Sequence, residues 1–596
     1  MGFRVSSALA YVAAVGTFQT APLSTANPIV STTFAPPPWP FVPRDLDAGS
    51  LAALEPLFDD LAARPLHEPG ALERWLRDES ELQARIAGEH ARRYVRMTCR
   101  TDDEIARRDY LAMEQAVIPA VKVRSDALDR RLLGSPALGS LDPVRYEVLI
   151  RKRRTQSLLF REENLELQRQ ESELQTQHQT LMGSITVDFD GETRTLQQLG
   201  PYYESQDRRL RERAYRAGLA ARAARWPTLE DIYDRLVALR SAIARNAGFT
   251  TYPPFRFQEL GRYDYSEATC RQFHEAIAEA VVPAVRALDR ARAGRLALPR
   301  VRPWDLEVDP EGRPPLRPFA TQDELIALCR RIFTRVDPRF AAELDELARR
   351  NLLDLMSRKG KAPGGYQYQL EDERVPFVFA NSVGVHQDVQ TLLHECGHAF
   401  HSLLCRDHDL IAFRDYPIEM AETASMSMEL IGLEHLDAIY GAEDAARAHR
   451  RHLEGVLRTL TWIASIDAFQ HWVYGRPQHS REDRRVAWLD IRRRFGGDVD
   501  WQGMEDALAM QWIAQTHLFN HPFYYIEYGI AQLGALQVWS NYRHDPKAAI
   551  GAYRRALAMG GTRPLPELFA AAGVRFDLST PVLRELVADV LARIGT

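Results

Sequence analysis

One stretch constrains the fold of this chain more than any other: Thr391–Leu404, TLLHECGHAFHSLL. Leu392, Leu393, Cys396, Ala399, Phe400, Leu403 and Leu404 fill most of its positions. No Pro interrupts it and only Gly397 opposes helix formation, so it reads as a helix. It carries His394-Glu395-x-x-His398. Residues four apart share a helix face, so His394 and His398 can direct two imidazoles at one metal ion. Glu395 lies one position further round. That offset suits a base working on a water held by such an ion better than it suits a third ligand. Taken alone, the pattern also fits two polar residues on a helix surface, and the surroundings must decide. Cys396, inside the motif, is expected to pack inward as a small apolar residue rather than act as a nucleophile.

A chain of 596 residues exceeds the size at which one compact core stops growing. Two or more lobes, or one large helical body with a cleft, are therefore expected. The net charge is −5, and acidic residues balance the basic runs Arg151–Arg154 and Arg492–Arg494. These runs read as solvated helix faces, and a nucleic-acid partner is not expected. The five cysteines (Cys99, Cys270, Cys329, Cys396, Cys405) are odd in number and lack CxxC spacing, which fits a reducing compartment without a disulfide framework. No segment is long and apolar enough to span a bilayer, so no membrane partner is expected. Arg4, the stretch Val5–Phe18 and Ser24-Thr25-Ala26 resemble a short signal peptide, but Ser6, Ser7, Tyr11 and Thr17 interrupt its apolar part. A cytoplasmic location is expected, with export as the alternative.

The chain divides into three expected regions. Residues 1–40, ending in Ala35-Pro-Pro-Pro-Trp-Pro, read as a disordered, linker or signal segment. Residues 41–200 form an N-terminal helical region and residues 201–596 a second helical region that carries the motif. Within the first, helical periodicity is punctuated at Pro69, Pro119, Pro136 and Pro143, and Glu162–Gln179 has the charge and Leu spacing of an exposed antiparallel hairpin. Ile185–Leu196 alternates and turns at Asp190-Gly191, a β-hairpin signal. Pro299–Pro318 marks a boundary before helices resume at Gln322. Tyr366–Leu370 and Val375–Phe379 flank the charged turn Glu371–Arg374 and read as a small antiparallel sheet just before the motif. Pro376 cannot donate to a central ladder, so its strand is expected at an edge, where an extended ligand could pair with it. Asp388 is the expected N-cap of the motif helix.

A tetrahedral catalytic zinc takes three protein ligands. A third His ten residues after the first is absent, because that position is Leu404. His401 shares the motif face one turn on, where a substrate-side or supporting role fits better than ligation. Pro417–Leu430, PIEMAETASMSMEL, offers Glu419, Glu422 and Glu429 among Met, Ala and Leu. Carboxylates there are costly unless paired or on a metal. Glu422 and Glu429 share a face, but periodicity does not choose between Glu419 and Glu422.

The run His394–His401, followed by Met420-Ala-Glu-Thr-Ala-Ser425 with Glu422 28 residues after His394, resembles the oligoendopeptidase F-like branch of the M3 zinc metallopeptidases, relatives of thimet oligopeptidase. Phe255–Tyr265, Arg302–Asp305, Ser357–Tyr366, Val375–Asn381 and Phe523–Ala535 resemble blocks of the same family, in the same order. The likeness runs from about residue 185 to the end, with a looser helical match before it. It implies a mainly α fold, a two-lobed clamshell with a deep central channel and the small sheet beside the zinc helix. It implies one zinc per chain on His394, His398 and Glu422, Glu395 as general base and acid, and Glu429 orienting a ligand His. From the far lobe, His517 and Tyr528 match best as groups facing the zinc, with Tyr524 and Tyr525 as neighbours. Their spacing differs slightly from the thimet branch, whose Gly-rich loop is missing here. Val375, Phe377, Phe379 and Tyr525 are the expected substrate-lining residues. The implied activity is hydrolysis of internal bonds of short unfolded oligopeptides by a zinc-activated water. The alternatives are a zinc dipeptidyl carboxypeptidase or carboxypeptidase, and a peptide-binding relative without catalysis.

Overall fold

The computed structural model describes residues 40–362 and 364–595, so the expectation for residues 1–40 lies almost wholly outside the described residues. The fold is mainly α. Proline explains several helix boundaries directly. Pro69 and Pro143 sit in the first turns of Pro69–Cys99 and Pro143–Leu159, where a missing N–H costs nothing, and the Asp142 carboxylate caps the second by accepting the N–H groups of Val144 and Arg145. Pro119 behaves differently from expectation. The chain passes helically from Glu104–Ala112 through a wide π turn at Met113–Val117 into Ile118–Leu133, so the proline marks a bulge rather than a break. The same device recurs at Ile277–Val281, just before Pro283 in Val282–Arg295.

Two main apolar cores result. The smaller is built from residues between Val42 and Leu149, including Trp75, Leu82, Met113 and Leu128, joined by Leu410 and Phe413 from beyond the motif. The larger draws on residues from Leu229 to Ile594 and takes in Ala91, Val95 and Leu174 from the N-terminal region. Helix Pro69–Cys99 therefore serves both cores, with Leu72, Trp75 and Ile86 in one and Ala91 and Val95 in the other. The Glu162–Gln179 stretch lies mostly in helix Asn164–Gly183. That helix keeps an exposed face, with only Asn164, Leu174 and His178 buried, and is tied to Trp226–Asn246 by the Asn164 side-chain amide on the Ile243 carbonyl and by Arg240 on Glu171.

The hairpin at 185–196 forms as β1 (Thr186–Phe189) and β2 (Glu192–Thr195), with Asp190 and Gly191 both left-handed at φ 57° and 80°. The sheet before the motif has three strands: β3 (Leu353–Met356), β4 (Tyr366–Leu370) and β5 (Val375–Ser382). The order is β3-β5-β4, with β4–β5 antiparallel as expected and β3–β5 parallel. The strand carrying Pro376 is thus central, not an edge. Proline is tolerated because β3 pairs with β5 only from Val378 onward, leaving Pro376 opposite Gln369 of β4 alone. The edges of the sheet are β3 and β4, and Tyr366, Gln367 and Leu370 of β4 are buried.

Candidate metal centre

The motif helix runs His386–Cys405. Asp388 is not its N-cap residue; it sits in the first turn and reaches back, its Oδ2 accepting the N–H groups of Val383, Gly384 and Val385 at 2.8, 2.9 and 3.0 Å. Leu392, Leu393, Cys396, Ala399 and Phe400 are buried, with Phe400 stacked on Phe340 at 4.4 Å. Cys396 packs inward, as its helical position requires. The glycine that looked like a propensity penalty is the crossing point. A Cβ on Gly397 would lie 2.5 Å from Ser425 Cα and 2.8 Å from the Ala424 carbonyl of the next helix, Ile418–Leu433. Only glycine lets the two backbones approach this closely.

That crossing brings three donors together. The His394 and His398 rings lie 4.9 Å apart at 86°, and each Nε2 is 3.5 Å from Glu422 Oε2. One donor atom from each residue falls within 4.8 Å of the others, and all three residues are buried. Two imidazole nitrogens and one carboxylate oxygen form a set suited to a tetrahedral zinc with one open position, so these residues fit the implied ion. Burial works against ionising Glu422, but the facing His398 and His394 and the Ser425 hydroxyl outweigh it and bring its pKa down to about 2.

The neighbours orient the set. His394 Nδ1 is 2.6 Å from Glu429 Oε1, so Nδ1–H donates to the carboxylate and Nε2 is left for an ion. Burial opposes protonation of His394, yet Glu429, then Glu422 and Glu395, raise it to about 9 in the absence of metal. Ser425 Oγ donates to Glu422 Oε2 at 3.1 Å and Tyr524 OH donates to Oε1 at 3.3 Å. Glu419, the competitor that periodicity left open, accepts instead from Tyr265 OH at 2.6 Å. His401 stacks on Tyr416 at a centroid separation of 3.3 Å. Glu395 is fully buried, and a Cβ on Gly365, just before β4, would stand 3.6 Å from its Oε1.

The opposite wall comes from Thr516–Asn520 and the helix Tyr525–His544. His517 lies 6.0 Å from Tyr528, 5.0 Å from Tyr525 and 5.8 Å from Tyr524, ring to ring. Its proton is placed by a relay that sequence reading missed. Trp462 Nε1–H can only donate, and it donates to Gln515 Oε1 at 2.8 Å. Gln515 Nε2 must then donate to His517 Nδ1, 2.6 Å away, which puts the ring proton on Nε2. Burial, with His521 nearby, lowers the His517 pKa to about 3, so the ring stays neutral. Nothing in the spacing of Trp462 and Gln515, 53 residues apart, announces the pair. A second missed tie is Arg262, whose Nη2 donates to Glu527 Oε1 at 2.8 Å and anchors the residue before Tyr528.

The expected substrate-lining residues are distributed unevenly. Tyr525 joins the aromatic wall, whereas Val375, Phe377 and Phe379 are buried in the central strand, with Phe379 stacked on Tyr366 at 4.6 Å. They lie in the central strand rather than along an edge, so edge pairing with an extended ligand does not apply to them.

Comparison with known proteins is consistent across sequence and structure. The chain is 24% identical to oligopeptidase PepF of Bacillus subtilis over 249 residues, covering 41% of this chain and 36% of that protein. It is 37% identical to the chromosomal oligoendopeptidase F of Lactococcus lactis subsp. cremoris over 240 residues, 38% of each chain. The matched stretches span little more than a third of these two relatives. An X-ray structure assigned to oligoendopeptidase F superimposes with a TM-score of 0.87 at 27% identity, covering 93% of this chain and 98% of that one. The model of peptidase family M3 matches residues 202–588, which include every residue of the centre described above, and the chain belongs to that family.

Proposed function

We propose that this M3 peptidase is a zinc-dependent endopeptidase that hydrolyses internal bonds of short, unfolded oligopeptides. The observation that carries the reading is the buried convergence of His394, His398 and Glu422, with Glu395 on the same helix and Glu429 behind His394. A zinc ion held there would supply Lewis-acid polarisation and lower the pKa of a water in the open position. Glu395 takes the proton from the attacking water and returns it to the leaving amine, the carboxylate cycling between base and acid. His517, kept neutral with its proton on Nε2, and the Tyr528 phenol donate to the oxygen that becomes negative as the carbonyl is attacked. Each such donor contributes about 2.7–4 kcal/mol in comparable sites. The outer strand β4 follows Gly365 and so begins beside Glu395, where its edge would pair with an extended peptide backbone. Such pairing selects chains without their own secondary structure.

The test is cleavage mapping on an unstructured peptide library with free and blocked termini, with and without a chelator. Internal cuts that survive blocking, vanish with chelator and return with zinc are expected. Cuts confined to a free C-terminus would replace this reading by a carboxypeptidase or dipeptidyl carboxypeptidase. Bound zinc without any cleavage would leave a peptide-binding protein.

A further inference from the structure

A second cluster of metal-binding side chains lies on a different pair of helices. Helix Glu267–Ala276 carries Cys270 and His274 four residues apart, and the long helix Ala442–Gly475 carries Asp467 and His471 at the same spacing. Each pair therefore shares a face, and the two faces meet. His274 Nε2 is 2.8 Å and His471 Nε2 3.4 Å from Asp467 Oδ2. A donor atom from each of Cys270, Asp467 and His471 lies within 4.8 Å of the others. Cys270, His274 and Asp467 are buried, and the His471 side chain is only 10% exposed.

Three features point beyond a packed polar cluster. Asp467 is fully buried, its Oδ1 has no hydrogen-bond partner, and no Lys or Arg among the described residues forms an ion pair with it. Only the imidazoles of His274 and His471 stand against this buried carboxylate, so its charge is offset either by protonated imidazole or by an ion that the same side chains hold. The donors around it are two imidazoles and a thiol, the ligand types of a zinc-class ion. Behind His471, Glu267 Oε2 stands 3.3 Å from Nδ1, repeating the carboxylate that Glu429 places behind His394.

We propose that Cys270, Asp467 and His471, with His274 holding the Asp467 carboxylate from the side, form a second, structural site for a divalent transition ion of the zinc class. An ion there ties helix Glu267–Ala276 to Ala442–Gly475. It also braces the turn that feeds the aromatic wall. The His471 ring packs edge-on against Phe523 at 5.0 Å, Phe523 is held left-handed at φ 64°, and Tyr524, Tyr525 and Tyr528 follow directly.

The His394 centre offers no sulfur, so Co2+ alone is a selective probe. Full-length protein is stripped with a chelator, titrated with Co2+ and followed by absorption, with metal counted by mass spectrometry. A sulfur-to-cobalt charge-transfer band is expected, together with a second bound equivalent. The band should persist in His398→Ala, which disables the His394 centre, and disappear in Cys270→Ser. Folded wild-type protein that binds cobalt without a thiolate band would overturn the proposal, leaving an imidazole–carboxylate cluster only. So would a band that survives Cys270→Ser. If Cys270→Ser does not fold, the wild-type spectrum and metal count still decide.

Discussion

His394, His398 and Glu422 come from 29 consecutive residues on two crossing helices, whereas the facing wall is assembled from Trp462, Gln515, His517, Tyr524 and Tyr528 through contacts between separate elements. The first side is a local arrangement whose geometry follows from helix periodicity and one close crossing at Gly397. The second depends on a tryptophan 53 residues from the glutamine it orients. A locally encoded set tolerates change around it as long as the helix persists. A relay fails when any one member changes, although its folded framework remains.

Perturbing each side in turn sharpens this contrast. The largest expected effect is Glu395→Gln, which should keep its zinc yet lose about 10⁴-fold in turnover, near the upper end for general acid–base catalysis. Metal content measured beside kcat checks it, and normal activity in that variant would remove Glu395 from the role of base. Next comes the aromatic wall. Tyr528→Phe, or Gln515→Glu with its reversed demand on the His517 proton, should lower kcat by about 10²–10³-fold with little change in zinc content. If Gln515→Glu instead releases zinc, the two sides are not separable.

Glu429→Gln should weaken zinc by about 10–100-fold, measured by competition with a chromophoric chelator. It also carries a pH signature. A proton on His394 competes with the ion, and the folded-state pKa is raised from 6.5 to about 9. Wild-type zinc affinity should therefore keep climbing with pH up to about 9, while in Glu429→Gln it should level off closer to 6.5. The smallest effect on chemistry belongs to Gly397→Ala. The added Cβ must push Ser425 away, at about 1–3 kcal/mol of stability, which a thermal melt with and without zinc would register. Unchanged stability would mean that the helices can separate without loss.

Much of the site was legible because the motif helix and the helix after it each present chemistry at helical spacing. Helical spacing alone did not choose among Glu419, Glu422 and Glu429; the family resemblance did, and the structure agrees with it. All three are acidic residues on one short helix, and their fates differ only through what stands opposite: Tyr265 for Glu419, the two histidines for Glu422, and His394 Nδ1 for Glu429. The sheet shows the same limit. Two strands and their turn were visible from composition, but β3, only four residues long and separated from β5 by the β4 hairpin, left no comparable signal. Its parallel pairing made the Pro376 strand central and left β3 and β4 as the outer strands.

By itself, the sequence determined that this chain is mainly helical, that His394 and His398 share a face with Glu395 beside them, and that a carboxylate must follow on the next helix. These are consequences of a 3.6-residue period, which operates between neighbours. Only the tertiary structure decided how the second helix crosses so that a carboxylate meets the histidines, which nitrogen of His517 holds its proton, which strands lie at the sheet edges, and that Cys270 and His274 face Asp467 and His471. Each of those depends on where one element stands relative to another far along the chain. Packing of two large cores settles that placement, and no local pattern records it.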